Sequence, residues 1–259
     1  MKRIKLIIAY DGTNYCGWQL QPGKPTVEEA VNIALSELLR EDIAVIGASR
    51  TDSGVHARGN VAVFDTESRI PSDKIAPALN VRLPEDIRIQ SSVEVEPDFH
   101  PRKTDSRKTY EYRILNRNTS QPTERLYSDF VYYALNVGAM QEAAGYLSGE
   151  HDFTSFCSVN TQVTDKVRTI YSLDVTKQGD IITIKVTGSG FLYNMVRIIA
   201  GTLIEIGRGA YPPDRMAEIL RGCDRSLAGP TAPAHGLTLM GIEYMTNNHG
   251  GEGNAGDNS

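Results

Sequence analysis

Residues 48–60 read A-S-R-T-D-S-G-V-H-A-R-G-N and gather Arg50, Asp52, His56 and Arg58 around Gly54. An apolar run ends at Ile46 just before them, and an alternating one starts at Val61 just after. A charge cluster between two strand-like runs predicts a loop between strands, and rigid flanks of that kind are where side chains for chemistry are commonly mounted. Asp-Ser-Gly is also good turn chemistry, because Asp bonds its own backbone and Gly accepts positive φ. Taken alone, the stretch reads first as a plain turn between strands at 43–47 and 60–65.

Outward from it, the N-terminal side supplies a strand at Lys2–Tyr10 and a loop through Gln21 that holds Tyr15, Trp18 and Gln19. Thr26 and Glu29 form a capping box, and Val27, Val31, Ala34, Leu35 and Leu38 recur at helical spacing, so a helix is expected over 27–40. On the other side come a short helix after Ser72, disturbed by Pro77, and a strand at Ile87–Val95. The order β-α-β-β-α-β is the ferredoxin-like arrangement.

Residues 98–106 are polar, contain Pro101 and lack an apolar period, which places a domain boundary there: 1–100 before it, 101–246 after it. The second half repeats the pattern with elaborations. It has strands at 108–115 and 126–133, a helix at 136–147, a hairpin of 167–176 with 181–188, helices at 191–206 and 214–221, and a strand at Leu237–Tyr244. Residues 247–259 are mostly Asn and Gly with two acids and no apolar residue beyond one alanine, and such a tail is expected to be disordered.

At 259 residues with 40% hydrophobic and 23% charged, the composition is that of a globular protein with a substantial core. Three distant cysteines make disulfides and zinc unexpected and suit a reducing cytosol, hence a cytoplasmic location. The first apolar run contains Lys5 and ends at Asp11, too short for a signal peptide, and no apolar stretch reaches membrane-helix length. Five scattered histidines leave no expectation of a metal, and none of an organic cofactor. The formal net charge is -5, yet Arg102, Lys103, Arg107, Lys108, Arg113 and Arg117 crowd one segment against Asp105 and Glu111. That suits either a polyanion or a solvated linker.

A second anomaly lies at 191–204, F-L-Y-N-M-V-R-I-I-A-G-T-L-I, where Arg197 is the only charge between Lys185 and Glu205. A guanidinium in a segment this apolar needs a carboxylate, either a structural partner or Asp52, whose pKa it would lower. Gly188-Ser189-Gly190 is expected to open this helix, easing a tight turn or receiving an anion. Tyr110 and Tyr112, in R-K-T-Y-E-Y, are core aromatics on physical grounds.

R-T-D-S-G-V-H-A at 50–57 resembles the active-site signature R-T-D-A-G-V-H-A of the tRNA pseudouridine synthase A family. The resemblance continues through R-K-T-Y, H-D-F-T-S-F at 151–156, F-L-Y-N-M-V-R, G-R-G at 207–209 and G-P-T-A-P-A-H-G-L at 229–237. Ser53 stands for the usual alanine, Ser49 for a glycine and Asn60 for a common glutamine. The resemblance implies an α+β fold of two ferredoxin-like halves in one continuous, mainly antiparallel sheet, with helices on one face and an RNA-binding cleft on the other. It also implies a homodimer that converts uridines 38, 39 and 40 in the tRNA anticodon stem-loop to pseudouridine. Asp52 is then the nucleophile, Arg197 its ion-pair partner, Tyr110 the residue that stacks on the target base, and Arg50 and Arg58 contacts to phosphate or the flipped base. A silent RNA-binding protein and a glycoside-type hydrolase with two carboxylates are the alternative classes.

Overall fold

A computed structural model describes residues 1–159, 161 and 163–245; the tail expected to be disordered lies outside the described residues. β1 (Lys2–Tyr10) is followed by α1 (Val27–Leu39), β2 (Ile46–Gly47), β3 (His56–Thr66), α2 (Ser72–Asn80) and β4 (Ile87–Val95). The second half runs β5 (Ser106–Asn116), β6 (Asp129–Val131), α3 (Val137–Gly145), β7 (Gly149–Asp152), β8 (Val167–Gln178), β9 (Ile181–Gly188), α4 (Met195–Gly207), α5 (Arg215–Gly222) and β10 (Leu237–Tyr244).

The long strands join in the order β4-β1-β3-β10-β5-β9-β8-β7. The ferredoxin-like order appears twice, as β4-β1-β3 with β2 attached to β3, and as β10-β5-β9-β8. All pairings are antiparallel except β5 with β6 and the joint itself, where Thr238 and Leu239 of β10 run parallel to His56 and Ala57 of β3. One continuous sheet results, and the residue pair at its seam sits directly after the 48–55 loop.

Alternation sets the core. Ile4, Leu6 and Ile8 on one face of β1 are fully buried and share a cluster with Val27, Val31 and Leu35 of α1 and Ile75 and Leu79 of α2. Each such side chain contributes about 1.5–3 kcal/mol. On β5, Tyr110, Tyr112 and Ile114 are buried in that same cluster, whereas Glu111 and Arg113 project from the opposite face. Thr26 caps α1 by accepting from the Glu29 N–H at 3.4 Å, and Asn136 caps α3 at Ala139.

Several expectations are corrected. Ile43 and Val45 are buried as a strand would bury them, but their N–H groups donate to Ser36 Oγ and Asn32 Oδ1 on α1, so β2 shrinks to two residues. β3 begins at His56 rather than Asn60, because β10 offers a backbone partner there; His56 and Arg58 therefore belong to a strand, not to the loop. α4 begins at Met195, since Asn194 adopts a left-handed φ of 61° in the turn that precedes it. Gly188-Ser189-Gly190 consequently closes β9 and opens no helix. β6 is shorter than expected, and β7 is a strand that the alternation did not reveal.

Candidate active site

The loop from Ala48 to Val55 is clamped on its inner side. Trp18 N–H donates to Thr51 O at 3.1 Å, Gly54 N–H to Tyr15 O at 3.3 Å, and Val55 N–H turns back to Asp52 O at 3.1 Å. Gly54 has a φ of 77°, a conformation that a side chain would strain. Trp18 itself is 1% exposed, so the aromatic loop noted in the sequence acts as the floor of the 48–55 loop.

A buried polar network ties this loop to the sheet. Tyr10 Oη and Thr51 Oγ1 lie 2.7 Å apart, Asn60 donates to Tyr10 Oη at 3.3 Å and to Ser49 O at 3.0 Å, and Ser49 Oγ meets Tyr110 Oη at 2.7 Å. Ser49 and Asn60, two positions that depart from the usual signature, are thus bonded to each other. Tyr110 is fixed at its hydroxyl, and its ring meets Phe191 edge-on with centroids 5.2 Å apart. Burial pushes its hydroxyl pKa up to about 12, with Asp52 adding to the rise, so it remains a neutral phenol.

Arg197 reaches Asp52 from the first turn of α4, 145 residues away in sequence, with Nη1 3.3 Å from Oδ2. It is held on two other sides: Nε donates to Ala232 O at 2.8 Å and Nη1 to Asn194 Oδ1 at 2.8 Å. The 229–232 segment can approach α4 this closely only because position 201 is glycine; a Cβ there would lie 1.9 Å from Pro230 O. That contact explains physically why G-P-T-A stands where it does. The contact to Asp52 uses one guanidinium nitrogen and one carboxylate oxygen, so no fork closes around the carboxylate.

Burial raises the Asp52 pKa, and the charge and hydrogen bond of Arg197 pull it back without cancelling the rise. The sequence had pointed to a depressed value; desolvation is what overturns it. Asp52 remains an ionisable carboxyl whose charge depends on Arg197.

Asp52 stands at a cavity of about 770 Å³. Its wall includes Arg50, Asp52, Lys108, Tyr110, Phe191 and Asn194. Arg58 is not brought there: it lines a second hollow of about 520 Å³ with His56, Glu111 and Arg113. The sequence reading did not assign Phe191 or Asn194 to the site; Lys108 figured only in the basic segment 102–117, and Ser49 only as a departure from the family signature.

Among the described residues no group of three or more His, Cys, Asp or Glu side chains could hold a metal ion, and no helix is long and apolar enough to cross a membrane.

Comparison with known sequences gives one consistent result. The profile of the tRNA pseudouridine synthase family matches residues 6–102 and 143–245. The protein named tRNA pseudouridine synthase A from Brevibacillus brevis is 51% identical over 244 residues, covering 94% of this chain and 100% of that one. Its namesake from Ruminiclostridium cellulolyticum is 51% identical over 245 residues, covering 94% and 100%. The one from Bacillus subtilis is 46% identical over 244 residues, covering 93% and 99%.

Proposed function

Because the chain belongs to the tRNA pseudouridine synthase family, we propose that it isomerises uridine to pseudouridine in tRNA, at positions 38, 39 and 40 of the anticodon stem-loop. The observation that supports this most directly is the Asp52 carboxylate, paired at 3.3 Å with Arg197 in the wall of a cavity of about 770 Å³. That volume suits a nucleotide-sized ligand. The same proposal includes a cytoplasmic homodimer and a division into two domains near residue 100.

The reaction breaks the C1′–N1 bond, turns the base, joins C5 to C1′ and moves the C5 proton to solvent while N1 gains one. Asp52 starts it as a carboxylate, by attack at C1′, by attack at C6 or by taking the 2′ proton; each opening needs the ionised form. Arg197 keeps that form populated against the cost of burial. The Tyr110 ring offers a stacking surface for the base, and Arg50, exposed at the rim, offers a charge for the backbone. Before any of this, the target nucleotide leaves its stack at a cost of a few kcal/mol.

Among the described residues Asp52 is the only acidic one lining the cavity. A glycoside hydrolase needs a second carboxylate roughly 5 to 9.5 Å away, so that reading lacks its partner group. Tritium release from 5-tritiated uridine in tRNA tests the proposal. The wild type releases tritium, and Asp52→Asn binds tRNA with release reduced roughly a thousandfold or more. Binding by the wild type with no release would instead identify a silent RNA-binding protein.

A further inference from the structure

The charged residues lining the Asp52 cavity are Lys24, Arg50, Arg102, Lys108 and Asp52, four cations against one acid, in a chain whose net charge is -5. Asp52 is taken by Arg197, so among the described residues the cationic wall has no further counter-charge. Some cations elsewhere do have a carboxylate: Arg3 meets Asp65 at 2.7 Å, Arg113 meets Glu124 at 3.3 Å and Arg117 meets Asp180 at 3.3 Å.

Lys108 is the sharpest case. It points from β5 to the same side as Tyr110, largely buried, and its Nζ donates to Ala48 O at 3.1 Å. Among the described residues that carbonyl is its one hydrogen-bond acceptor, and no carboxylate lies within ion-pair distance. An ammonium has three N–H donors, so two remain to be used. Burial lowers its pKa, and the nearby charges of Arg102 and Arg168 lower it further. Arg168 lies over the turn after β9, its Nε 3.8 Å from where a Cβ on Gly190 would sit. A largely buried cation without a counter-charge is unfavourable, and the neighbouring charges of exposed Arg102 and half-buried Arg168 make it more so unless an anion is bound among them.

We propose that Lys108 and Arg102, backed by Arg168, form a phosphodiester subsite in the wall of the Asp52 cavity. It takes the RNA backbone phosphate that adjoins the nucleotide presented to Asp52. The inference rests on the reading of this cavity as the seat of a flipped tRNA nucleotide. Lys108 and Tyr110 are two residues apart on one face of β5, so phosphate and base would be held by neighbours on a single rigid strand. Ala48 O, the acceptor of Lys108, belongs to the loop that carries Asp52; the same side chain therefore links backbone binding to the position of the catalytic loop.

The test is the salt dependence of tRNA binding by the full chain. The slope of log K against log salt should fall by roughly 0.7 to 0.9 in Lys108→Met, and by a similar amount in Arg102→Gln, because each removes one charge that displaces counterions from the RNA. Lys108→Arg should keep the wild-type slope, as should Lys74→Gln, a change at an exposed lysine on α2. If Lys108→Met fails to fold, Arg102→Gln decides the matter. Unchanged slopes in both variants, with Lys108→Met lowering only the melting temperature, would reduce Lys108 to a prop for the Ala48 carbonyl and overturn the subsite. Tritium release by the wild type judges the isomerase reading separately: tRNA binding without release sinks that reading and leaves the slopes to judge the subsite. A wild type that binds no tRNA overturns both.

Discussion

The two hollows of this molecule use similar residue types to opposite ends. Alternation on β5 puts Lys108 and Tyr110 in one and Glu111 and Arg113 in the other. The second hollow is lined by Asp11, Glu85, Asp86, Glu111 and Glu124 against Arg58, Arg88 and Arg113, and its charges are largely satisfied within the protein. Arg113 meets Glu124 at 3.3 Å, Tyr127 donates to Asp11 at 2.6 Å, Tyr15 donates to Asp86 at 2.6 Å, and Arg88 binds backbone carbonyls including Ile87 O. His56, buried beside Asp11, is held through Nε2 by Leu126 O at 2.8 Å. At the Asp52 cavity the one acid of the wall pairs with Arg197 behind it, and among the described residues Lys24, Arg50, Arg102 and Lys108 have no ion-pair partner. Charge left uncompensated marks where a ligand completes the structure, whereas charge already paired marks where the chain completes itself.

Arg197 offers the strongest way to sharpen this contrast. Removing it takes away the influence that lowers the Asp52 pKa, and the rise due to burial remains. Arg197→Met should therefore move the acid limb of the pH–rate profile to higher pH by roughly 1 to 3 units, with activity lost at neutral pH and partly regained as pH rises. In the wild type the limb should already lie above the range of an ordinary carboxylate. Arg197→Lys keeps the charge but cannot serve Asp52, Asn194 and Ala232 from one planar group, so it should be partly active. A wild-type profile in Arg197→Met would separate the ion pair from the chemistry.

A smaller effect is expected at the buried network. Tyr110→Phe keeps the ring but leaves Ser49 Oγ without its 2.7 Å partner. The loss should cost about 1 kcal/mol, or roughly 2–4 °C in melting temperature for a chain of this size, with turnover reduced by less than about tenfold. A loss as large as that of Asp52→Asn would give the hydroxyl a part in the reaction itself.

Smaller again is the effect in the paired hollow. Glu124→Gln breaks a half-exposed ion pair and should cost no more than about 1 kcal/mol, leaving tRNA affinity unchanged. A marked rise or fall in affinity would break the contrast between the hollows, since it would show RNA reaching the second one. The least effect is expected from chelation: EDTA should leave turnover unchanged, and activity lost to EDTA and restored by an added metal would point to a cofactor.

Much of this protein is written locally. β1, β4 and β10 fall where apolar alternation and flanking turn residues put them, and α1 starts at its Thr26 cap, because those signals act within a few residues. The 48–55 loop was legible for the same reason, as charge caught between two strand-like runs, and Arg197 stood out as one charge in an apolar segment. What local pattern could not supply was who meets whom. The parallel seam of β3 with β10 decides that His56 and Arg58 are strand residues, and it depends on a partner far along the chain. Arg197 finds Asp52 only because Gly201 lets the 229–232 segment close on α4 and Asn194 turns the chain into the helix. The sign of the Asp52 pKa shift belongs to the same class. A sequence names the charges, but desolvation depends on how much protein surrounds them, and only the folded chain decides that.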